Sequence, residues 1–145
     1  MGSTQRHSLF ARCPRQLDVR PYAQDGAAGV ADATGFAPMR RVILESPYAG
    51  DVGANVAYAR ECVRDSLQRG EAPIASHLLY TQPGILQDGV LEERKWGIDA
   101  GLAWGAVADA TVVYVDKGTS TGMQYGIDRA EKEGRTVEYR TLNGA

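Results

Sequence analysis

A chain of 145 residues with 43% hydrophobic content is long enough for one domain with a modest core. Its formal charge of −2 offers no clustered basic surface for a phosphate backbone, which argues against polymeric nucleic acid as a partner. It has neither an apolar run of about 18 residues nor an apolar signal core, so no membrane partner is expected and a cytoplasmic location is.

Residues 1–38 show neither helical nor strand periodicity around Pro14 and Pro21, and read as an irregular or disordered extension ahead of a domain at 39–145. Cys13 and Cys62 lie far apart and make no metal-ligand spacing with His7 and His77, so no metal or other cofactor is expected. Cys62 reads as a buried, inert thiol.

From Arg40 the elements alternate. Val42-Ile43-Leu44 is a short apolar run with β-branched residues, the pattern of a strand covered on both faces. Ser46-Pro47-Tyr48-Ala49-Gly50 is a loop by composition, and Asp51 caps the helix after it. Val52, Val56, Ala59, Val63 and Leu67 form one apolar face of that helix, and Gly70 ends it. Ala72 to Ser76 is a second strand, which Pro73 assigns to a sheet edge or a strand start. His77 to Gly84 reads as a functional loop.

Residues 90–107 read as a helix whose Gly97, Gly101 and Gly105 recur every four residues, a stripe suited to close packing on the sheet or on a second subunit. Ala110 to Val115 is the third strand, closed by Asp116. Lys117 to Gly122 forms a Gly/Ser/Thr loop into a helix from Met123 to about Glu133, and residues 136–140 form a fourth strand. This order predicts an α/β domain with a four- to five-stranded parallel sheet, whose ligand sits beyond the carboxyl ends of the strands. Loops 45–51, 76–88 and 116–122 then converge.

Glu45 and Asp116 stand at the ends of two strands expected to be neighbours, so both are candidates for carboxylate chemistry at a sugar anomeric carbon or for capping a loop. Glu93 and Arg94 start the helix beside the long loop, and Tyr48 and Tyr80 are placed to stack on a base. His77 either donates to a ligand or fastens its loop. Ser120, Gly122 and the following helix start suit an anion, or form a plain cap.

Residues 39–141 resemble the nucleoside 2-deoxyribosyltransferase-like superfamily, in particular its small phage and bacterial members. The segments SPYAG, PIASHLLY and STGM carry the likeness. It implies a Rossmann-like or flavodoxin-like three-layer fold and a nucleoside or nucleotide ligand. Ser46, Tyr48, Asp51, His77, Tyr80, Arg94, Ser120, Gly122, Met123 and Gln124 are the candidate contacts. Active relatives use a helix glutamate on the N-glycosidic bond, and the position aligned with it here is Gly126. Glu45, Asp116 or Glu93 would then supply the carboxylate of a hydrolase or deoxyribosyltransferase. The alternative is a nucleotide-binding module that cleaves nothing. A homo-oligomer is expected in either case, because a small sheet leaves apolar helix surface uncovered.

Overall fold

The structure, a computed structural model, describes residues 38–144. The expectations for the N-terminal extension, Cys13 and His7 lie outside the described residues, Pro38 apart. Strand β1 (Arg40–Glu45) holds the apolar run, with Val42 and Leu44 almost fully buried. Helix α1 (Val52–Gln68) starts where the Asp51 carboxylate accepts from Ala54 N (3.1 Å), and Gly70 follows it with a positive φ of 80°. Strand β2 (Glu71–Ile74) comes next, then a one-turn helix α2 (Ser76–Leu79) inside the segment expected to be a loop. Helix α3 (Leu91–Gly105), strand β3 (Ala110–Tyr114), helix α4 (Thr121–Lys132) and strand β4 (Thr136–Arg140) complete the domain.

The sheet is four-stranded and wholly parallel in the order β2-β1-β3-β4, the Rossmann-like, flavodoxin-like arrangement expected from the alternation of elements. Pro73 lies in the edge strand, as its missing N–H requires. The chain runs from β1 to β2 on one side and then crosses back to β3 on the other side of β1, so the order reverses between β1 and β3. The crevice of the fold opens there.

Helix α1 covers the face carrying Val42, Leu44, Ala110, Val112 and Tyr114, against which Tyr58 and Cys62 pack. Helix α4 covers the other face, where Met123 and Ile127 meet Val113. The expected apolar stripe of α1 is rotated. Asn55, Tyr58, Ala59, Cys62 and Ser66 are buried, whereas Val52 and Leu67 are exposed. Hydrogen bonds explain the rotation: Tyr58 Oη donates to Asp116 (2.6 Å), Ser66 Oγ to Glu71 (2.7 Å) and Asn55 Nδ2 to the carbonyls of Tyr48 and Ala49.

The glycine stripe of α3 is also used within the chain. A Cβ at Gly97 would lie 3.2 Å from Leu86, at Gly101 2.5 Å from Ser76 Oγ, and at Gly105 3.0 Å from the Arg135 guanidinium. The stripe therefore takes up contacts within the chain, with Leu86, Ser76 and Arg135.

Beside α1, the sheet face near β4 is covered by charge. Glu71, 5% exposed, takes two hydrogen bonds of 2.8 Å from Arg140, one from Ser66, and a longer one from Arg40 (3.3 Å). Glu138 pairs with both arginines. Burial opposes ionisation of Glu71, but its arginine and serine donors outweigh burial and hold it below the usual carboxylate range. Replacing Glu71 by Gln removes one of the two carboxylates that hold the buried Arg140 and leaves Glu138 alone to meet it, and a loss of about 1–3 kcal/mol is expected. Urea denaturation of the two proteins at neutral pH reads this directly. An unchanged midpoint would show that the cluster contributes nothing net.

Candidate active site

A cavity of about 540 Å³ lies beyond the carboxyl end of β1, roofed by α3 and α4. The end of β1 contributes Glu45, Ser46 and Tyr48, and α2 with the residue after it contributes His77 and Tyr80. The start of α3 adds Glu93 and Arg94, and the entry to α4 adds Ser120, Gly122 and Met123. These ten expected residues are brought together because the loops after β1, β2 and β3 all leave the same edge of a parallel sheet.

Three candidates lie elsewhere. Asp116 is exposed on the α1 side, where it accepts from Tyr58 Oη (2.6 Å) and Leu142 N (3.1 Å). Strand parity explains its position. Glu45 is level with Val113, so Val115 shares its face and Asp116 turns to the other. Asp51 is spent on the α1 cap, and Gln124 is exposed and bonded to Asp128 (2.7 Å). Neither Asp51 nor Gln124 lines the cavity.

The Glu45 side chain rises from the central strand to the flank of α4 at Gly126. A Cβ built on Gly126 would stand 2.2 Å from Glu45 Oε1 and 2.7 Å from its Cδ. The carboxyl of Glu45 thus fills the volume where a side chain at position 126 would begin. Among the described residues it accepts no hydrogen bond, and no buried side-chain oxygen lacks a partner, so its oxygens open to the cavity. Burial pushes this carboxyl up to about 8, and the nearby Arg135 charge pulls weakly the other way.

Around it the other polar groups are held. Ser46 Oγ and His77 Nε2 are 2.7 Å apart, and burial lowers the imidazole to about 4, so His77 is neutral at physiological pH. Glu93 accepts from Gln87 N (2.6 Å), and Arg94 faces Asp88 at 3.8 Å. Ser120 caps α4 by accepting from Met123 N (3.3 Å). Trp104 Nε1 donates to Tyr80 Oη (3.0 Å), tying α3 to the turn after α2.

Arg135 and Asp88 line the cavity without having been expected there. Arg135 enters from the amino end of β4, the end opposite the converging loops. Thr111 Oγ1 (3.0 Å), the Gly105 carbonyl (2.8 Å) and Glu133 (2.7 Å) hold it. Its one sequence signal is a basic residue directly after the turn glycine Gly134, opposite a glycine-striped helix. Among the described residues no group of three or more His, Cys, Asp or Glu is placed to hold a metal, and no helix is long and apolar enough to cross a membrane.

Two expectations follow from the Glu45 contact. Alanine favours a helix interior over glycine by about 1 kcal/mol, but at position 126 that gain meets the Glu45 carboxyl. Gly126→Ala should therefore be more favourable in a Glu45→Ala background than alone, by a coupling of about 0.5–3 kcal/mol in a double-mutant cycle. Additive effects would show that the two positions do not touch. Folding raises the carboxyl, so the neutral form stabilises the folded chain below about pH 4.5, and that contribution is lost as pH rises through about 8. Glu45→Gln should accordingly gain stability relative to the parent between pH 5 and pH 9, measured by thermal unfolding. A constant difference across that range would contradict the shift.

Residues 40–140, more than half of the chain, match the family described as a domain of unknown function (DUF7768), and the chain belongs to that family. No curated protein matches the sequence. Among solved structures, the chain is similar to a 2-deoxyribosyltransferase from the psychrotolerant bacterium Bacillus psychrosaccharolyticus. Identity is 20%, the match covers 72% of this chain and 74% of that one, and the TM-score is 0.52. The resemblance read from the sequence thus holds as a distant relationship of fold.

Proposed function

We propose that this member of the DUF7768 family acts on the N-glycosidic bond of a nucleoside or nucleotide, with Glu45 as the carboxylate that meets the anomeric carbon. The observation that carries this reading is the seat of the Glu45 carboxyl against Gly126. A side chain from the central strand occupies the space that a helix residue would otherwise fill, and it has no partner but the cavity. The structural neighbour, a 2-deoxyribosyltransferase, supports nucleoside chemistry for the shared fold. Tyr48 and Tyr80 offer aromatic faces for a base, and Glu93 and Arg94 offer an acceptor and a donor at the same end.

Glycosyl transfer through a covalent intermediate needs an ionised carboxylate in contact with C1′, about 3–3.5 Å from the carbon before it attacks. Burial keeps Glu45 neutral over much of the physiological range, and the developing cation favours its ionised form. Base release should therefore rise with pH and level off near pH 8.

The test is incubation with 2′-deoxynucleosides of adenine, guanine, cytosine and thymine, and with their 5′-monophosphates, followed by chromatography for free base. At least one compound should be cleaved, and Glu45→Gln should reduce the rate by 10²-fold or more, on the order expected for loss of a group acting directly in the transition state. Cleavage that survives in Glu45→Gln would remove Glu45 from the chemistry.

A second reading, a binding module that leaves its ligand intact, is favoured by one observation: the Glu45 carboxyl is held in a setting that keeps it protonated at neutral pH. Under that reading the same compounds raise the melting temperature and are recovered whole. We infer that self-association, under either reading, uses the outward side of α3, where Leu91 and Trp96 are exposed.

A further inference from the structure

We propose that His77 is the general base of the second half of this reaction, taking the proton from the water that attacks C1′ of a glycosylated Glu45. This rests on the N-glycosidic reading above and adds the step by which the enzyme is freed.

A glycosyl-enzyme ester cannot be hydrolysed by the carboxylate that carries it, so a second group must accept the proton of the incoming water. The cavity offers few. Arg94 and Arg135 have no lone pair to offer, Glu93 and Asp88 each already meet a donor or a cation, at Gln87 N–H and Arg94, and Glu93 is assigned above to the ligand. His77 has a ring nitrogen that meets neither. Its Nε2 meets Ser46 Oγ at 2.7 Å, and among the described residues its Nδ1 has no hydrogen-bond partner. Since no buried side-chain nitrogen is left unsatisfied, Nδ1 is open, and the ring lines the same cavity as Glu45. In the proposed tautomer Nε2–H donates to Ser46 Oγ, which leaves the lone pair on Nδ1. Ser46 is thereby a positioning residue. Burial keeps the ring neutral, so this lone pair is present across the physiological range.

The two halves balance. In the first, a Glu45 oxygen bonds to C1′ while the C1′–N bond breaks. The base leaves with that electron pair and takes a proton from solvent. In the second, a water oxygen bonds to C1′, and the C1′–O bond to Glu45 breaks, returning its electron pair to the carboxylate. The water proton passes to His77 Nδ1 and from there to solvent.

His77→Gln keeps a side chain able to bond Ser46 but removes the base. With the deoxynucleoside that the parent cleaves fastest, the variant should release about one equivalent of base per chain in a burst. It should then turn over about 10²-fold more slowly than the parent. Mass spectrometry of the intact variant should show a deoxyribosyl adduct, and of its digest should place that adduct on the peptide containing Glu45. Sodium azide, a nucleophile with no proton to lose, should restore turnover and yield the glycosyl azide.

Parent-like turnover of His77→Gln without an adduct overturns the proposal and leaves the N-glycosidic reading standing. So does loss of the burst as well as of turnover in a folded variant. Absence of base release by the parent chain overturns both. If His77→Gln does not fold, Ser46→Ala, which keeps the imidazole, should give a smaller burst-and-stall defect relieved by azide. Failure of azide to relieve it counts against the proposal.

Discussion

A helix that presents glycine to a neighbouring element gives up one side chain and admits another. Four such positions govern the α3 and α4 side of this domain. Leu86 seats at Gly97, Ser76 at Gly101, Arg135 at Gly105 and Glu45 at Gly126. Each helix-interior glycine costs about 1 kcal/mol of helix propensity relative to alanine. The close approach that results lets the Arg135 guanidinium reach the Gly105 carbonyl and Thr111, and lets a carboxyl from β1 lie under α4. Both helices are thus shaped by what they accommodate, and the cavity is the space between the accommodated groups.

The two faces of the sheet treat carboxylates in opposite ways. Glu71 on the α1 face is met by Arg140, Ser66 and Arg40, and it stays ionised although buried. Glu45, on the adjacent strand and the other face, opens to the cavity without a donor, and burial drives it up to about 8. Both are glutamates on paired strands, so the difference comes from their partners. A satisfied charge on one face supports the sheet, whereas an unsatisfied carboxyl on the other is available to a ligand.

Element order, the parallel sheet, the edge position of β2 and the convergence of loops on a crevice were all legible from hydrophobic runs and turn residues, because those patterns are set locally. Facing was less so. The expected pairing of Glu45 with Asp116 failed on parity: the strands are neighbours, but their register was needed to see that Asp116 turns toward Tyr58. The stripe of α1 was misread because Tyr58 and Ser66 are buried through hydrogen bonds that hydropathy does not record. Arg135 was invisible for a related reason. It reaches the cavity from the amino end of a strand, and only the glycine opposite it makes room. Gly126 is the instructive case, since a missing side chain there marked the position that a distant residue fills.

Mounting a cavity carboxyl on β1 also has a mechanical consequence. The strand is hydrogen-bonded on both edges, to β2 and to β3, whereas α4 is an outer layer joined to the sheet through Met123, Ile127 and their neighbours. A side chain carried by α4 would travel with every displacement of that helix. Glu45 stays with the sheet, so the aim of the carboxyl is set by strand pairing and not by the seat of the helix.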